Sequence, residues 1–161
     1  MSISYYINLL KEKKCWSVIA GVGTGSVVHL GFGEKKSRKK PLKNPNLSKD
    51  EKMFEPEIGL MIHCAWRLSK LDKILCGWRD SNELKSNMLK GINLLKDKKV
   101  IDIHLNQTVY DLDIYFDNNM CFQLFCDQTN NYDSDENYTL FLNQAAYTIG
   151  LKSLLETEYY Q

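Results

Sequence analysis

One eight-residue string occurs twice in this chain. Residues 7–14 read Ile-Asn-Leu-Leu-Lys-Glu-Lys-Lys, and residues 92–99, 85 positions later, repeat them with one charge-preserving change, from Glu12 to Asp97. Self-similarity at a fixed offset is typical of a repeated supersecondary unit. The string therefore predicts that two related units make up the chain.

Both strings are followed by segments in which apolar residues alternate with others, the pattern of half-buried β-strands. Trp16 and Val18 share one face of the first such segment, and Ile101, Ile103 and Leu105 share one face of its counterpart. Connections of hairpin length make neighbouring strands antiparallel. The predicted strands are 15–20, 28–32, 60–68 and 73–78 in the first unit, and 100–105, 110–116, 120–126 and 138–142 in the second.

A helix is predicted ahead of the strands of each unit. The spacing of apolar residues predicts a helix over 81–95, opened by a capping box of Asp80 and Glu83, and a shorter helix over 3–11. The C-terminal segment, 145–158, fits either a helix or a strand followed by a tail.

These elements describe an α-β-β-β-β unit that is present twice. Each unit is too small to bury its sheet face alone, since small chains bury a smaller share of their surface. The predicted fold is therefore a single α+β domain over 1–161, internally duplicated, with repeats at about 1–79 and 80–161. Its antiparallel sheet or sheets are expected to have pseudo-twofold symmetry.

The two units differ in the connection between their second and third strands. In the second unit the connection is a tight turn near Asn118, whereas in the first it is 34–58, a long polar loop insertion that holds all three prolines. Long loops of this kind are usually functional or disordered. We therefore expect the features specific to this protein's function in 34–58. The acidic segment 127–136 predicts a polar hairpin loop.

The glycine-rich segment 21–26 follows a strand and invites comparison with a phosphate-binding loop. It lacks the Gly-Lys-Ser/Thr ending and the Gly-x-Gly-x-x-Gly spacing of such loops. A strand follows it, so no helix N-terminus is available to an anion. The segment therefore predicts a hairpin loop whose glycines supply positive φ.

Histidine and aspartate residues fall on strand faces opposite the apolar ones, where they are expected to be solvated. They lack the spacing of a zinc site or an EF-hand, and no cysteine or serine has the context of a nucleophile. We therefore predict no catalytic residue, no cofactor and no metal. The residues weighed for such roles are His29, His63, His104, Asp111, Asp113 and Asp117.

Two basic features are candidates for partner binding. One is the charge cluster in 34–58, which fits a solvated loop tip, a protein contact or a weaker nucleic-acid contact. The other is a Trp-Arg pair that occurs twice. Trp and Arg are favoured at interfaces, but the pair fits better a tryptophan that packs against the sheet while the arginine covers its edge. The candidate partner-binding residues are Lys35, Lys36, Arg38, Lys39, Lys40, Arg67 and Arg79.

The composition predicts a cytoplasmic protein. The 21 basic and 20 acidic residues leave a net charge of +1, which favours no particular partner. Five cysteines without a Cys-x-x-Cys pair are expected to be buried thiols in a reducing compartment. The sequence shows neither a signal peptide nor an apolar run of about 20 residues, so we expect no membrane association.

Residues 59–68, together with 23–26 and 30–33, resemble a group of small bacterial proteins. That group is similar to the immunity-type proteins found beside polymorphic toxins and in defence-gene neighbourhoods. Residues 109–116 of the second unit are also like it. The resemblance spans most of the chain and carries no catalytic residue across.

The resemblance implies a non-enzymatic immunity or antitoxin-like protein that neutralises a toxin or defence effector by occlusion. An alternative is a small-ligand or nucleotide-binding module that uses the groove between the two repeats. For occlusion of a partner, the 34–58 segment and the Trp-Arg region are the surfaces to test.

Overall fold

The computed structural model describes residues 2–130 and 136–160. This part of the chain is an α+β structure, mostly antiparallel strand with short helices α1 (Ile3–Asn8), α2 (Lys49–Met53) and α3 (Asn87–Ile92). None of its helices is long and apolar enough to cross a membrane. The strands are β1 (Lys14–Ile19), β2 (Val28–Ser37), β3 (Phe54–Ile62), β4 (Ala65–Lys70), β5 (Lys73–Gly77), β6 (Lys98–Leu105), β7 (Leu112–Phe116), β8 (Met120–Phe125), β9 (Glu136–Leu142), β10 (Ala145–Gly150) and β11 (Leu155–Tyr159).

The described strands form one sheet in the order β11-β10-β9-β3-β2-β1-β6-β7-β8-β4-β5, and every neighbouring pair is antiparallel. At its middle, β1 and β6 pair through Lys14 with Lys99 and Cys15 with Lys98. The strands of the two halves are also interleaved in the sheet. Strand β3 of the first half pairs with β9 of the second, and β4 of the first half pairs with β8 of the second. Both halves therefore share one sheet.

The core lies on one face of this sheet and draws apolar residues from both halves. The alternation predicted for 28–32, 110–116 and 120–126 is confirmed, since Leu30, Ile114 and Phe122 are fully buried. The Trp66 ring stacks on Phe122, with 5.5 Å between ring centroids. Full burial of each such side chain contributes about 1.5–3 kcal/mol, so the sheet face supplies much of the stability.

The predicted face of 101, 103 and 105 is wrong at Ile101. A β-bulge between Val100 and Asp102 shifts the register of β6, so Val100 is buried and Ile101 is 49% exposed. A bulge between Cys15 and Ser17 shifts β1 in the same way. A bulge adds one residue to a strand and reverses the faces that simple alternation assigns.

The helix predicted over 81–95 is shorter than the sequence indicated. It begins at Asn87, because Ser86 is its N-cap and accepts a hydrogen bond from the Leu89 N–H at 3.3 Å. The predicted capping box is wrong, since Asp80 instead accepts from the Gly77 N–H at 2.8 Å. Gly91 is needed inside the helix, where an added Cβ would lie 2.5 Å from Cys76 Sγ on β5.

The 34–58 segment is not a continuous loop. Strand β2 runs on to Ser37 and β3 begins at Phe54, so only the 38–48 segment and α2 stand outside the sheet. In α2 a capping box is complete: Ser48 Oγ accepts from Glu51 N–H at 3.2 Å, and Glu51 Oε2 accepts from Ser48 N–H at 2.9 Å.

The structure also bears on the predictions for 60–68, for the C-terminal segment and for the 127–136 loop. The strand predicted over 60–68 is divided, because the N–H groups of His63 and Cys64 both donate to the Asn137 carbonyl, at 2.8 and 3.0 Å. The C-terminal segment forms strands β10 and β11 rather than a helix. Of the hairpin loop predicted over 127–136, residues 131–135 lie outside the described part.

Candidate partner-binding surface and cavities

The face of the sheet that points away from the core is covered on one side only. Over β1 and β2, helix α2 lies against it, and Glu51 is only 6% exposed there while accepting a hydrogen bond from Ser17 Oγ at 3.3 Å. Over β7, β8 and β4 the described residues leave the face open, and its side chains are half-buried or exposed. We call this surface the open face; it consists of Arg67, Asp113, Tyr115, Gln123 and Phe125.

A row of hydrogen bonds crosses the open face. Arg67 Nε donates to Gln123 Oε1 at 2.8 Å, and Gln123 Nε2 donates to Asp113 Oδ1 at 3.0 Å. The three residues are direct cross-strand neighbours on β4, β8 and β7. The Arg67 guanidinium also lies 5.3 Å from the centroid of the Phe125 ring. These contacts hold the Arg67 side chain in one orientation while leaving it exposed.

Tyr115 of the open face is the cross-strand partner of Cys121, which lies at its edge. Burial, followed by the charge of nearby Asp113, raises the pKa of Cys121 to about 11. Burial likewise raises the pKa of Tyr115. Both groups are therefore neutral at pH 7, and Cys121 does not provide the thiolate that a nucleophile requires.

Two of the predicted partner-binding lysines are engaged within the chain. Lys35 forms an ion pair with Asp50 of α2, and its ammonium lies 5.1 Å from the centroid of the Trp16 ring. Lys36 donates a hydrogen bond to the side chain of Asn143. Both lie on β2, so they do not form the loop tip that the sequence suggested.

The fold does not bring the other predicted partner-binding residues close to Arg67. Arg38 is half-buried and lies 3.8 Å from Glu55, whereas Lys39 and Lys40 are exposed in the 38–48 segment. Arg79 follows β5, with its guanidinium 5.1 Å from the Trp78 ring. Strands β1, β6, β7 and β8 separate Lys35 and Lys36 on β2 from Arg67 on β4. These two lysines and Arg67 therefore belong to different surfaces.

The three histidines do not converge. His29 lies on β2, His63 follows β3 with Nε2 2.9 Å from Glu136 Oε1, and His104 is exposed on β6. Among the described residues no cluster of three histidine, cysteine, aspartate or glutamate side chains could hold a metal ion.

A groove of about 580 Å³ lies between the glycine-rich loop, the 38–48 segment and α3. Leu89 and Lys96 line one wall, and Glu51 lies opposite with 3.9 Å between Lys96 Nζ and Glu51 Oε1. The first backbone amide of the glycine-rich loop is hydrogen-bonded within the loop, because the Gly21 N–H donates to Thr24 Oγ1 at 3.0 Å. This amide is therefore not free to bind phosphate.

Sequence reasoning named Arg67 but missed Gln123, Tyr115 and Phe125 as parts of one surface. Strand alternation places these three residues on the face opposite the core. The sequence signal for the surface was therefore a polar or aromatic residue between two buried ones. The missing information was the pairing of β4 with β8, whose cross-strand partners lie far apart in the chain, as Ala65 and Phe125 do.

Comparisons with known proteins give no relative. No family model, no curated protein and no solved structure matches this chain.

Proposed function

We propose that this chain is a non-enzymatic cytoplasmic binding protein that neutralises a protein partner by occlusion, as immunity and antitoxin proteins do. The observation that carries the proposal is the open face, where Arg67 lies between Phe125 and the Gln123–Asp113 pair. Arginine and tyrosine are enriched among residues that dominate binding energy. A toxin or defence effector is the class of partner that fits the resemblance noted above.

The open face is organised before any partner arrives. Arg67 is fixed by a 2.8 Å hydrogen bond, so binding would immobilise one long side chain fewer. Ordering such a side chain at an interface costs about 0.5–1.5 kcal/mol. Preorganisation of this kind favours recognition of one preferred surface over nonspecific contact.

Two of the thiols lack the low pKa that a cysteine nucleophile requires. Burial, followed by the charge of Asp80, raises the pKa of Cys76 to about 12, and that of Cys121 is about 11. All five cysteines are free, which fits a reducing compartment.

We further propose that the sheet arose by internal duplication with strand exchange. If β11 is set aside, the strand order reads the same from either end when β1–β5 are exchanged for β6–β10. One hydrogen bond is found at equivalent places in both halves. Trp66 Nε1 on β4 donates to the carbonyl of Ser26, just before β2, at 2.8 Å. Tyr138 Oη on β9 donates to the carbonyl of Tyr110, just before β7, at 3.0 Å.

The duplicated strings themselves support this origin. The Glu12 N–H donates to the Val100 carbonyl at 2.8 Å, and the Asp97 N–H donates to the Cys15 carbonyl at 2.7 Å. Glu12 and Asp97 both have positive φ, at 66° and 64°. If the halves are duplicates, each has an outer sheet face. The 38–48 segment and α2 cover that of the first half, over β1 and β2, and the open face is the uncovered counterpart that we propose for a partner.

Co-purification from the native host tests the proposed function. The expected result is that the tagged protein recovers one stoichiometric protein, that Arg67→Glu abolishes recovery, and that Lys40→Glu retains it. Lys40 is the comparison because it is an exposed cation of the 38–48 segment, outside the sheet, and belongs to the other surface predicted from the sequence. Recovery of no stoichiometric protein, or equal recovery with Arg67→Glu, would contradict the proposal.

The groove supports a second candidate function, a small-ligand or nucleotide-binding module. Its volume of about 580 Å³ lies within the 300–1,000 Å³ typical of ligand sites, and its walls come from both halves of the chain. A nucleotide that raises the melting temperature of the protein, but not that of Lys96→Glu, would favour this function over the first.

A further inference from the structure

A smaller cavity of about 350 Å³ lies on the covered side of the sheet, away from both the groove and the open face. Its floor is formed by β2, β3 and β9, and Arg38 and Tyr160 stand at its walls. Phe141 and Leu142 of β9 and Pro56 of β3 give it an apolar side. The function proposed above does not use this cavity.

Two residues that line it, His29 and Arg38, each hold a buried polar atom without a hydrogen-bond partner in the described part of the chain. His29 Nδ1 and Arg38 Nε are both inaccessible to solvent, and neither has a partner among residues 2–130 and 136–160. Native structures rarely leave such groups unpaired, because a buried donor without an acceptor loses the hydrogen bond that water gave it. A molecule with acceptor oxygens, bound in the cavity, would satisfy both groups.

The His29 ring is fixed by the backbone beneath it. A Cβ on Gly59 would lie 2.9 Å from His29 Nε2, so only glycine at that position lets the ring rest against β3. Burial lowers the pKa of His29 to about 4, and the charge of Arg38 acts in the same direction. The imidazole is therefore neutral at pH 7 and can present one N–H donor at Nδ1.

The charges around the cavity favour an anion. Arg38 is 3.8 Å from Glu55, longer than a hydrogen bond, and this contact leaves Nε unoccupied. Glu57 is neutralised by Lys13, whose ammonium donates to both carboxylate oxygens at 2.7 and 2.9 Å. Lys36 adds a further positive charge, bonded to Asn143 of the lining.

We propose that this cavity binds a small organic oxyanion, a carboxylate or a phosphate monoester. Its oxygens accept hydrogen bonds from Arg38 Nε and His29 Nδ1–H, and its carbon skeleton packs against Phe141. A guanidinium donates well to both carboxylate and phosphate. The volume is near the lower end of the range for ligand sites, so the molecule is closer in size to a single metabolite than to a nucleotide.

The test follows the nitrogen resonances of the His29 ring by NMR while the full chain is titrated with benzoate and, separately, with glycerol 3-phosphate. Sodium chloride at equal ionic strength is the blank, and inorganic phosphate is included as a bare anion. The expected result is a saturable shift of His29 with one of the two organic anions. Saturation by benzoate identifies a carboxylate, and saturation by glycerol 3-phosphate identifies a phosphate monoester.

Variants locate the binding and keep the test independent of folding. Arg38→Gln is expected to weaken the saturable binding about tenfold or more, because a charge-assisted hydrogen bond is lost. Arg79→Gln is the matched control, since Arg79 lies after β5 against Trp78, and it should bind as the original chain does. The proposal is overturned if neither organic anion saturates, if inorganic phosphate alone does, or if a folded Arg38→Gln protein binds equally well.

Discussion

Arg67 and Gln123 are joined by a 2.8 Å hydrogen bond although 56 positions separate them in the chain. The bond exists because β4, from the first half of the chain, pairs with β8 from the second. It lies at the centre of the open face, where Gln123 also bonds Asp113. The exchange of strands between the halves is therefore what assembles the proposed binding surface.

Replacing Arg67 is expected to change stability little. The side chain is exposed, and exposed polar contacts of this kind contribute about 0–1 kcal/mol. Urea unfolding of Arg67→Ala should therefore give a free energy of unfolding within about 1 kcal/mol of the original chain. A loss several times larger would mean that the residue maintains the fold, and its effects on binding could not then be assigned to a partner.

Gly91→Ala is expected to destabilise the protein by about 1–3 kcal/mol through overpacking, despite the better helix propensity of alanine. The added Cβ would lie 2.5 Å from Cys76 Sγ, so α3 would have to move away from β5. Thermal or urea unfolding measures the cost. The double variant with Cys76→Ala should recover part of it, whereas a stabilised Gly91→Ala protein would show that α3 does not pack this closely.

Tyr138→Phe removes a buried hydroxyl and leaves the Tyr110 carbonyl without its 3.0 Å donor. The expected cost is about 0.5–1.5 kcal/mol in the free energy of unfolding. Tyr5→Phe, at a residue that is 49% exposed, is the matched control and should cost almost nothing. Equal effects of the two substitutions would argue against the buried hydrogen bond.

His29 makes stability depend on pH. Its folded pKa of about 4 is below the ordinary value of 6.5, so the unfolded chain binds more protons between these values. Stability from this group is complete above pH 6.5 and decreases as pH falls toward 4, by up to about 3 kcal/mol. Urea unfolding at pH 7, 5.5 and 4.5 should show a smaller decrease for His29→Gln. An unchanged slope in His29→Gln would refute the assignment.

The strands were largely predictable because alternation is a local signal. Leu30, Ile114 and Phe122 lie in the core as their spacing indicated, and the antiparallel α+β class follows from short connections. Ile101 was misplaced because a bulge depends on the neighbouring strand, which the local sequence does not specify.

The candidate site was harder to predict because it depends on pairing between distant strands. Arg67 stood out by residue type, but Gln123 joins it only through the pairing of β4 with β8. Lys35 and Lys36 were predicted to lie in a solvated loop because their partners, Asp50 and Asn143, are distant in sequence and are brought close only by folding.

The affinity of the co-purified partner for purified variants tests the central proposal most directly. Isothermal titration calorimetry should show binding to the original chain and to Lys40→Glu with the same Kd. Arg67→Glu should weaken binding at least about 30-fold, the equivalent of a hot-spot loss of about 2 kcal/mol. A Kd for Arg67→Glu equal to that of the original chain, in a protein that unfolds normally, would contradict the assignment of the open face as the binding surface.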